Sequence, residues 1–215
     1  MKSIYNYIYM INLIIAPHAD DELLGVGGSA HKYINAGNEV HVIICGVRKN
    51  DDRIQIEKAT KDFTSVHILP FEDESYNIIK NKLLKNLEYI YKTITPDIVF
   101  IPNRDDFNMD HKAVHEVCEV VLRRYQEHSP SKILMYEIPS STTQSFNNNF
   151  KCNYYEELSL PNINSKIQRF YEYKNEVRKF PNPRSKAGIK TYAMFRGMEC
   201  NTKYAEGFNL IYQKS

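Results

Sequence analysis

Hydrophobic and polar positions alternate along the first two thirds of the chain in the manner of repeated strand and helix units. Five short apolar runs, mostly rich in β-branched residues, have the length of buried strands: residues 11–16, 40–44, 66–69, 98–101 and 133–136. Apolar residues at helical spacing fill the intervening segments: residues 23–36, 53–63, 78–91 and 111–125. This alternation predicts an α/β fold, with an open, mostly parallel Rossmann-like sheet and helices on both faces.

After Tyr136 the pattern is less regular. Residues 140–153 are polar and rich in asparagine, without a helical period, and predict loops. Two helices and a last strand are predicted further along: residues 164–179, 189–197 and 208–212. Since no repeat or linker interrupts the chain, a single domain over residues 1–215 is expected.

The first cluster of chemically active residues, Pro17-His18-Ala19-Asp20-Asp21-Glu22, directly follows the first predicted strand. Ligands of such sheets bind beyond the carboxyl ends of the strands. One imidazole and three carboxylates beside a buried strand are costly without a cation, and His and Asp are zinc ligands. Acidic residues also favour the first turn of a helix, which explains Asp21 and Glu22 but neither His18 nor Asp20. Taken alone, the cluster leaves both interpretations open.

A second cluster of acidic residues, residues 102–111, follows the fourth predicted strand and ends at His111. A catalytic zinc usually has three protein ligands and an open position for water. His18, one carboxylate of the first loop and His111 would complete such a set. His115 lies one helical turn further on, but the HExxH pattern is absent, so we interpret it as an ordinary helix residue.

A competing motif, Gly25-Val26-Gly27-Gly28-Ser29-Ala30, has the G-x-G-x-x-A form of a dinucleotide fingerprint. In that fingerprint the glycines form the turn directly after the first strand, and an acidic residue follows the second strand. Here eight residues separate Ala16 from Gly25, and no acidic residue follows Cys45-Gly46 directly. Nucleotide binding is therefore the weaker alternative, and the glycines are expected to let the first helix pack closely.

Composition narrows the choice of partners and compartment. The 215 residues carry a formal net charge of +2, which is too even to suggest a nucleic-acid partner. The apolar stretch of residues 4–15 is broken by Asn6 and Asn12 and is shorter than the ~20 residues of a membrane span. Four widely separated cysteines suit a reducing compartment. We therefore expect a cytoplasmic protein without a membrane span, and leave a homo-oligomer open.

The two clusters carry a family resemblance. The sequence APHADDELLGVGG resembles the PHPDDE…G.GG signature of the LmbE-like (PIG-L) zinc-dependent de-N-acetylases, and the second cluster resembles their H-x-D-H motif. Further matches run along the chain from Met10 to Tyr212: Arg53, Glu57, Ala59, Asp73, Arg196-Gly197 and Tyr204-Ala205-Glu206-Gly207-Phe208.

The resemblance implies a metal-dependent hydrolase that removes the N-acetyl group from a small N-acetylated sugar or sugar conjugate. It implies that His18, Asp21 and His111 bind zinc, or another divalent ion, and that Asp20 is the general base. A non-catalytic metal- or sugar-binding member of the same fold is the alternative.

Other roles follow from the same resemblance. Arg53 and Asp73 would line the sugar pocket. Asn108 stands where many members have the first histidine of H-x-D-H; its amide can donate a hydrogen bond to an oxyanion but cannot deliver a proton. We therefore expect Asn108 to stabilise the oxyanion, and protonated Asp20 to supply the proton to the leaving amine. Asp110 would orient a neighbouring metal ligand, with a helix N-cap as the alternative.

Overall fold

The computed structural model describes residues 9–47, 51–71, 76–146 and 150–215. Its strands are Ile11–His18 (β1), Glu39–Gly46 (β2), Ser65–Ile68 (β3), Ile98–Pro102 (β4), Lys132–Tyr136 (β5), Tyr154–Glu157 (β6) and Ala205–Gln213 (β7). Its helices are Asp21–Asn35 (α1), Asp51–Ala59 (α2), Tyr76–Ile94 (α3), Met109–Val121 (α4), Leu160–Phe170 (α5) and Lys186–Glu199 (α6). None of the helices in these described ranges is long and apolar enough to span a bilayer.

The seven strands form one sheet in the order β3-β2-β1-β4-β5-β7-β6. Strands β1 to β5 pair in parallel, whereas β7 runs antiparallel to both β5 and β6. The order reverses between β1 and β4, because the chain first builds outward to β3 and then returns to add β4 on the other side of β1. Such a reversal opens a crevice at the carboxyl ends of the two strands, where ligands of α/β sheets bind.

The sheet is covered by helices on both faces. Ile14 and Ala16 of β1 pack with α1, α2, α5 and α6 on one face. Leu13 and Ile15 of the same strand pack with α3 and α4 on the other face. All four side chains are fully buried, as expected for the central strand of a doubly covered sheet. These observations confirm the predicted fold class.

The five predicted parallel strands are present, with ends that differ by at most two residues. The helices predicted over residues 53–63 and 111–125 each end four residues early, at Ala59 and Val121.

The prediction of one helix over residues 164–179 is wrong, because α5 ends at Phe170. Beyond it the chain turns and buries Tyr173, whose hydroxyl donates to Glu22 Oε1 at 2.6 Å. This contact between distant parts of the chain outweighs the local helical pattern. Strand β6 was not predicted, because its sequence, Tyr-Tyr-Glu-Glu, has no alternation and pairs only with β7 at the edge of the sheet.

The glycines of α1 serve close packing, as predicted, and form no phosphate-binding turn. A Cβ on Gly25 would lie 2.3 Å from Cδ2 of Tyr136, and one on Gly28 would lie 2.5 Å from Cδ1 of Leu158. Both glycines are inside the helix rather than in the turn after β1. The fingerprint interpretation therefore lacks the geometry that it requires.

We predict that Gly25→Ala destabilises the protein by about 1–3 kcal/mol, the usual cost of overpacking a core. The Tyr136 ring has little room to move, since its hydroxyl donates to the carbonyl of Ile15 at 2.9 Å. Gly27→Ala is the matched control, because its nearest neighbour would be Cγ of Lys166 at 3.1 Å, a contact that a shift of a few tenths of an ångström relieves. Urea denaturation measures both variants, and a Gly25→Ala protein as stable as the wild type would contradict the packing argument.

Candidate active site

The three predicted metal ligands lie together at the carboxyl ends of β1 and β4. His18 Nδ1 is 3.3 Å from Asp21 Oδ2 and 3.3 Å from His111 Nε2, and the last two atoms are 3.1 Å apart. All three residues are buried. Donors in a tetrahedral zinc site with bonds of ~2.0–2.1 Å lie about 3.3–3.4 Å from one another, so the spacing suits such an ion.

The turn between β1 and α1 is tied together by its own acidic residues. Asp21 Oδ2 accepts from the backbone N–H of His18 at 3.0 Å, and Glu22 Oε2 accepts from that of Asp20 at 3.0 Å. The carbonyl of Asp20 accepts from the N–H of Leu24 at 2.9 Å and so begins α1. The local sequence therefore holds His18 and Asp21 on the same side of the turn.

One buried polar atom of this cluster, Asp21 Oδ1, supports a cation site. Asp21 Oδ1 and His111 Nδ1 have no hydrogen-bond partner among the residues that the structure describes. His111 Nδ1 lies 3.2 Å from Asp106 Oδ1, close enough for an ion pair but without hydrogen-bond alignment. An unsatisfied buried carboxylate oxygen is costly in free energy. A nitrogen and carboxylate donor set of this kind fits a divalent ion such as zinc.

The carboxylates of the cluster favour positive charge on the two histidines. Burial lowers the pKa of His18, but the carboxylates of Asp110 and Asp21 outweigh it and raise this pKa to about 9. Burial also lowers the pKa of His111, but the carboxylates of Asp21 and Asp106 outweigh it and raise this pKa to about 10. The pKa of Asp21 is well below its ordinary value, because the two imidazoles outweigh the effect of burial. A bound metal would displace the protons of both rings.

A carboxylate stands beside each of the two histidines. Asp110 Oδ2 lies 3.2 Å from His18 Nε2, and Asp106 Oδ1 lies 3.2 Å from His111 Nδ1, so each contacts the ring nitrogen that points away from the donor cluster. Asp106 is itself fixed by the hydroxyls of Ser141 and Thr142. Carboxylates in this position commonly orient metal-binding imidazoles.

Asp106 was not among the predicted site residues, although it lies in the second acidic cluster. Nothing in the local sequence distinguishes it from its neighbour Asp105, which is half-buried and contacts Arg104. Its role becomes visible only when the loop containing Ser141 packs against it.

Asn108 is the N-cap of α4, and its Oδ1 accepts from the backbone N–H of Asp110 at 2.8 Å. The alternative that Asp110 caps this helix is therefore wrong. Asp110 instead lies against His18, as the orienting role requires. Capping occupies the Oδ1 atom of Asn108, and its role as an oxyanion donor stays a prediction for the amide nitrogen.

Asp20 is buried, and its Oδ2 lies 2.8 Å from Nη1 of Arg184. Burial raises the pKa of Asp20 well above its ordinary value, and Arg184 opposes this shift. Arg184 was not predicted, because it lies far along the chain in an irregular segment before α6 with no local signal of function.

The two predicted sugar-binding residues are not brought to the cluster by any described contact. Arg53 is exposed in the first turn of α2, the helix that follows the carboxyl end of β2, so it belongs to the same edge of the sheet. Asp73 lies outside the described residues. His115 is an ordinary helix residue, with Nδ1 2.9 Å from the carbonyl oxygen of Pro102.

Residues 13–122 match the family model of PIG-L, described as GlcNAc-PI de-N-acetylase. The match covers just over half of the chain and contains both acidic clusters. The chain belongs to the PIG-L family. No curated protein is similar enough to count as a match. Membership confirms the resemblance of the two motifs.

Solved structures share the fold of this PIG-L family member. They include N,N'-diacetylchitobiose deacetylase from Pyrococcus horikoshii in complex with its inhibitor MPG, with a TM-score of 0.76, 19% identity, and coverage of 94% of this chain and 84% of that one. The zinc-inhibited form of teicoplanin deacetylase Orf2 has a TM-score of 0.76 and 12% identity, and the match covers 95% of this chain and 99% of that one. GalB, the 4-carboxy-2-hydroxymuconate hydratase from Pseudomonas putida KT2440, has a TM-score of 0.75 and 16% identity, and the match covers 96% of this chain and 98% of that one. At such identities the likeness shows the fold alone.

We predict that the protein binds one zinc ion per chain and that His111→Ala abolishes this binding, because it removes one of three convergent donors. His115→Ala is the matched control, since His115 lies one turn further along α4, and its described polar contacts are with the carbonyl of Pro102 and with Glu119. Elemental analysis after dialysis gives the number of zinc ions per chain. Added zinc should raise the Tm of the wild type and of His115→Ala, but not that of His111→Ala. Equal zinc retention in both variants would refute the assignment.

Proposed function

We propose that this PIG-L family chain is a zinc-dependent hydrolase that removes the acetyl group from an N-acetylated sugar or sugar conjugate. The observation that carries the proposal is the buried triangle of His18 Nδ1, Asp21 Oδ2 and His111 Nε2. The carboxylate of Asp20, which is not one of these three donors, is next to it in the chain. Another divalent ion of similar preference is the alternative to zinc. The proposal treats residues 1–215 as one catalytic domain.

His18, Asp21 and His111 would hold the metal, which when bound polarises a carbonyl group and activates water at neutral pH. Asp20 points toward Arg184 rather than into the donor triangle, so it is not needed as a ligand. Its carboxylate can take a proton from the attacking water as the new C–O bond forms. When the amide C–N bond breaks, the same proton passes to the leaving amine and acetate is released.

Other residues of the site orient the reacting groups. Asp110 and Asp106 hold the imidazole rings of His18 and His111 in place. The amide nitrogen of Asn108, at the first turn of α4, is the proposed donor to the oxyanion that develops on the acetamide oxygen. Arg53 and Asp73 are proposed to contact the sugar. Four unpaired cysteines support a reducing compartment such as the cytoplasm.

Amine release is the test that separates this proposal from the alternatives. The fold is shared with a hydratase as well as with deacetylases, so the architecture does not by itself select the reaction. The zinc-loaded protein should release free amine and acetate in equal amounts from at least one member of a panel of N-acetylhexosamines, their disaccharides and their conjugates. Stoichiometric zinc without turnover on any of them would favour the non-catalytic alternative.

We predict that Asp20→Asn retains zinc but lowers kcat by about 10²–10⁴-fold, the usual contribution of general acid–base catalysis. Asp21→Asn is the matched control, because it is the same substitution one residue away and it removes a metal ligand. Asp21→Asn should lose zinc and activity together. Metal content and amine release are measured on both variants, and equal zinc loss in the two would contradict the assignment of Asp20 as base and Asp21 as ligand.

Asn108→Ala is expected to lower kcat by about 10–1000-fold, the scale of losing one oxyanion donor. It should also cost about 1 kcal/mol of stability, because it removes the N-cap of α4. Asn108→Ser separates these effects, since serine caps well but lacks the amide donor. The serine variant should keep the wild-type Tm and lose activity like the alanine variant. Wild-type kcat in both variants would leave Asn108 as a cap only.

A further inference from the structure

We infer that Arg184 is a positioning residue that fixes the carboxylate of Asp20 for proton transfer. The inference rests on the proposed function, because Asp20 is the proposed general base. Arg184 lies between α5 and α6, and its Nη1 donates to Asp20 Oδ2 at 2.8 Å.

Asp20 depends on its surroundings for its conformation. Its φ of 120° lies in the region that residues other than glycine rarely adopt. Such a backbone persists only when neighbouring groups hold it. Glu22 and Leu24 hold the backbone N–H and the carbonyl of Asp20. Within the described part of the chain, Arg184 is the residue that hydrogen-bonds the carboxylate itself.

Arg184 is in turn fixed by two other segments. Its Nε donates to Oγ of Ser140 at 2.8 Å, in the loop after β5. Its Nη1 also contacts the carboxylate of Glu176, in the turns after α5. Only 20% of the side chain is exposed. A planar guanidinium engaged on three partners has little freedom, so it can impose one orientation on the Asp20 carboxylate.

The contact leaves Asp20 one oxygen for chemistry. Oδ2 accepts from Arg184, whereas Oδ1 accepts no hydrogen bond from the guanidinium among those that the structure describes. General base catalysis requires the accepting oxygen to lie within hydrogen-bond reach of the proton it removes. Fixing one carboxylate oxygen therefore fixes the direction of the other, and a small misplacement lowers the rate strongly. A lysine offers a single charged nitrogen and cannot engage Ser140, Glu176 and Asp20 with the same fork.

The kinetic test compares Arg184→Ala and Arg184→Lys with the wild type on the best N-acetyl sugar. Arg184→Ala should lower kcat by about 100-fold, while KM stays close to the wild-type value and zinc content does not change. Added guanidinium ion should restore part of the lost kcat, and Arg184→Lys should restore little. Arg178→Ala is the matched control, because Arg178 also approaches Glu176, at 3.8 Å, but its side chain is 48% exposed and makes no described contact with Asp20. It should retain wild-type kcat.

A second readout does not depend on activity. The Tm loss caused by Arg184→Ala is measured in the wild type and in Asp20→Ala, with zinc removed. If Arg184 acts on Asp20, the loss should fall to about half or less in the Asp20→Ala background, because contacting residues are not additive. Additive losses, an unchanged kcat in Arg184→Ala, or a raised KM with unchanged kcat would each overturn the inference; the last would make Arg184 a substrate ligand.

Failure of the proposed function would look different. A wild-type protein that releases no amine from any N-acetyl sugar would refute the deacetylase proposal. The stability comparison between Arg184→Ala and Asp20→Ala would still decide whether Arg184 fixes the Asp20 carboxylate.

Discussion

Buried negative charge at one edge of the sheet is the constraint on which this site depends. Five carboxylates are buried in the two loops after β1 and β4 and in the first turns of the helices that follow: Asp20, Asp21, Glu22, Asp106 and Asp110. Burial and mutual repulsion both disfavour their ionised forms. His18, His111 and Arg184 supply the compensating positive charge, and Tyr173 hydrogen-bonds Glu22. A divalent ion among the three donors would complete the compensation, which is why the same carboxylates that are costly for folding suit metal-dependent hydrolysis.

The two acidic loops meet because of the strand order. β1 and β4 are adjacent in the sheet although more than eighty residues separate Asn12 from its partner Ile98. Their carboxyl ends therefore deliver His18 and His111 to one place. Helix α1, which begins at Asp21, is fixed in turn by Glu206 of β7. That carboxylate accepts from the backbone N–H groups of Gly28 and Ser29 at 2.8 and 2.7 Å.

The packing of α1 connects its glycines with residues near the end of the chain. Lys166 of α5 donates to Glu206 at 2.6 Å and to the carbonyl of Leu24 at 2.7 Å, so one buried ion pair joins α1, α5 and β7. Gly28 must lack a side chain for Leu158 and Glu206 to approach this closely. Gly28 and Glu206, which belong to two family matches far apart in the sequence, are thus in direct contact.

The sequence by itself determined the parallel strands and the sheet edge that carries both acidic clusters, and the family resemblance selected His18, Asp21 and His111, which the structure brings together. The strands are strong local signals, because buried strands need continuous apolar runs, whereas the acidic cluster became specific only through its match to a family motif. Only the tertiary structure decided that Asp106 rather than Asp105 faces His111, that α5 stops at Phe170, and that Arg184 reaches Asp20. Each of these depends on contacts between distant segments, whose free energies outweigh local propensity and leave no trace in spacing or composition.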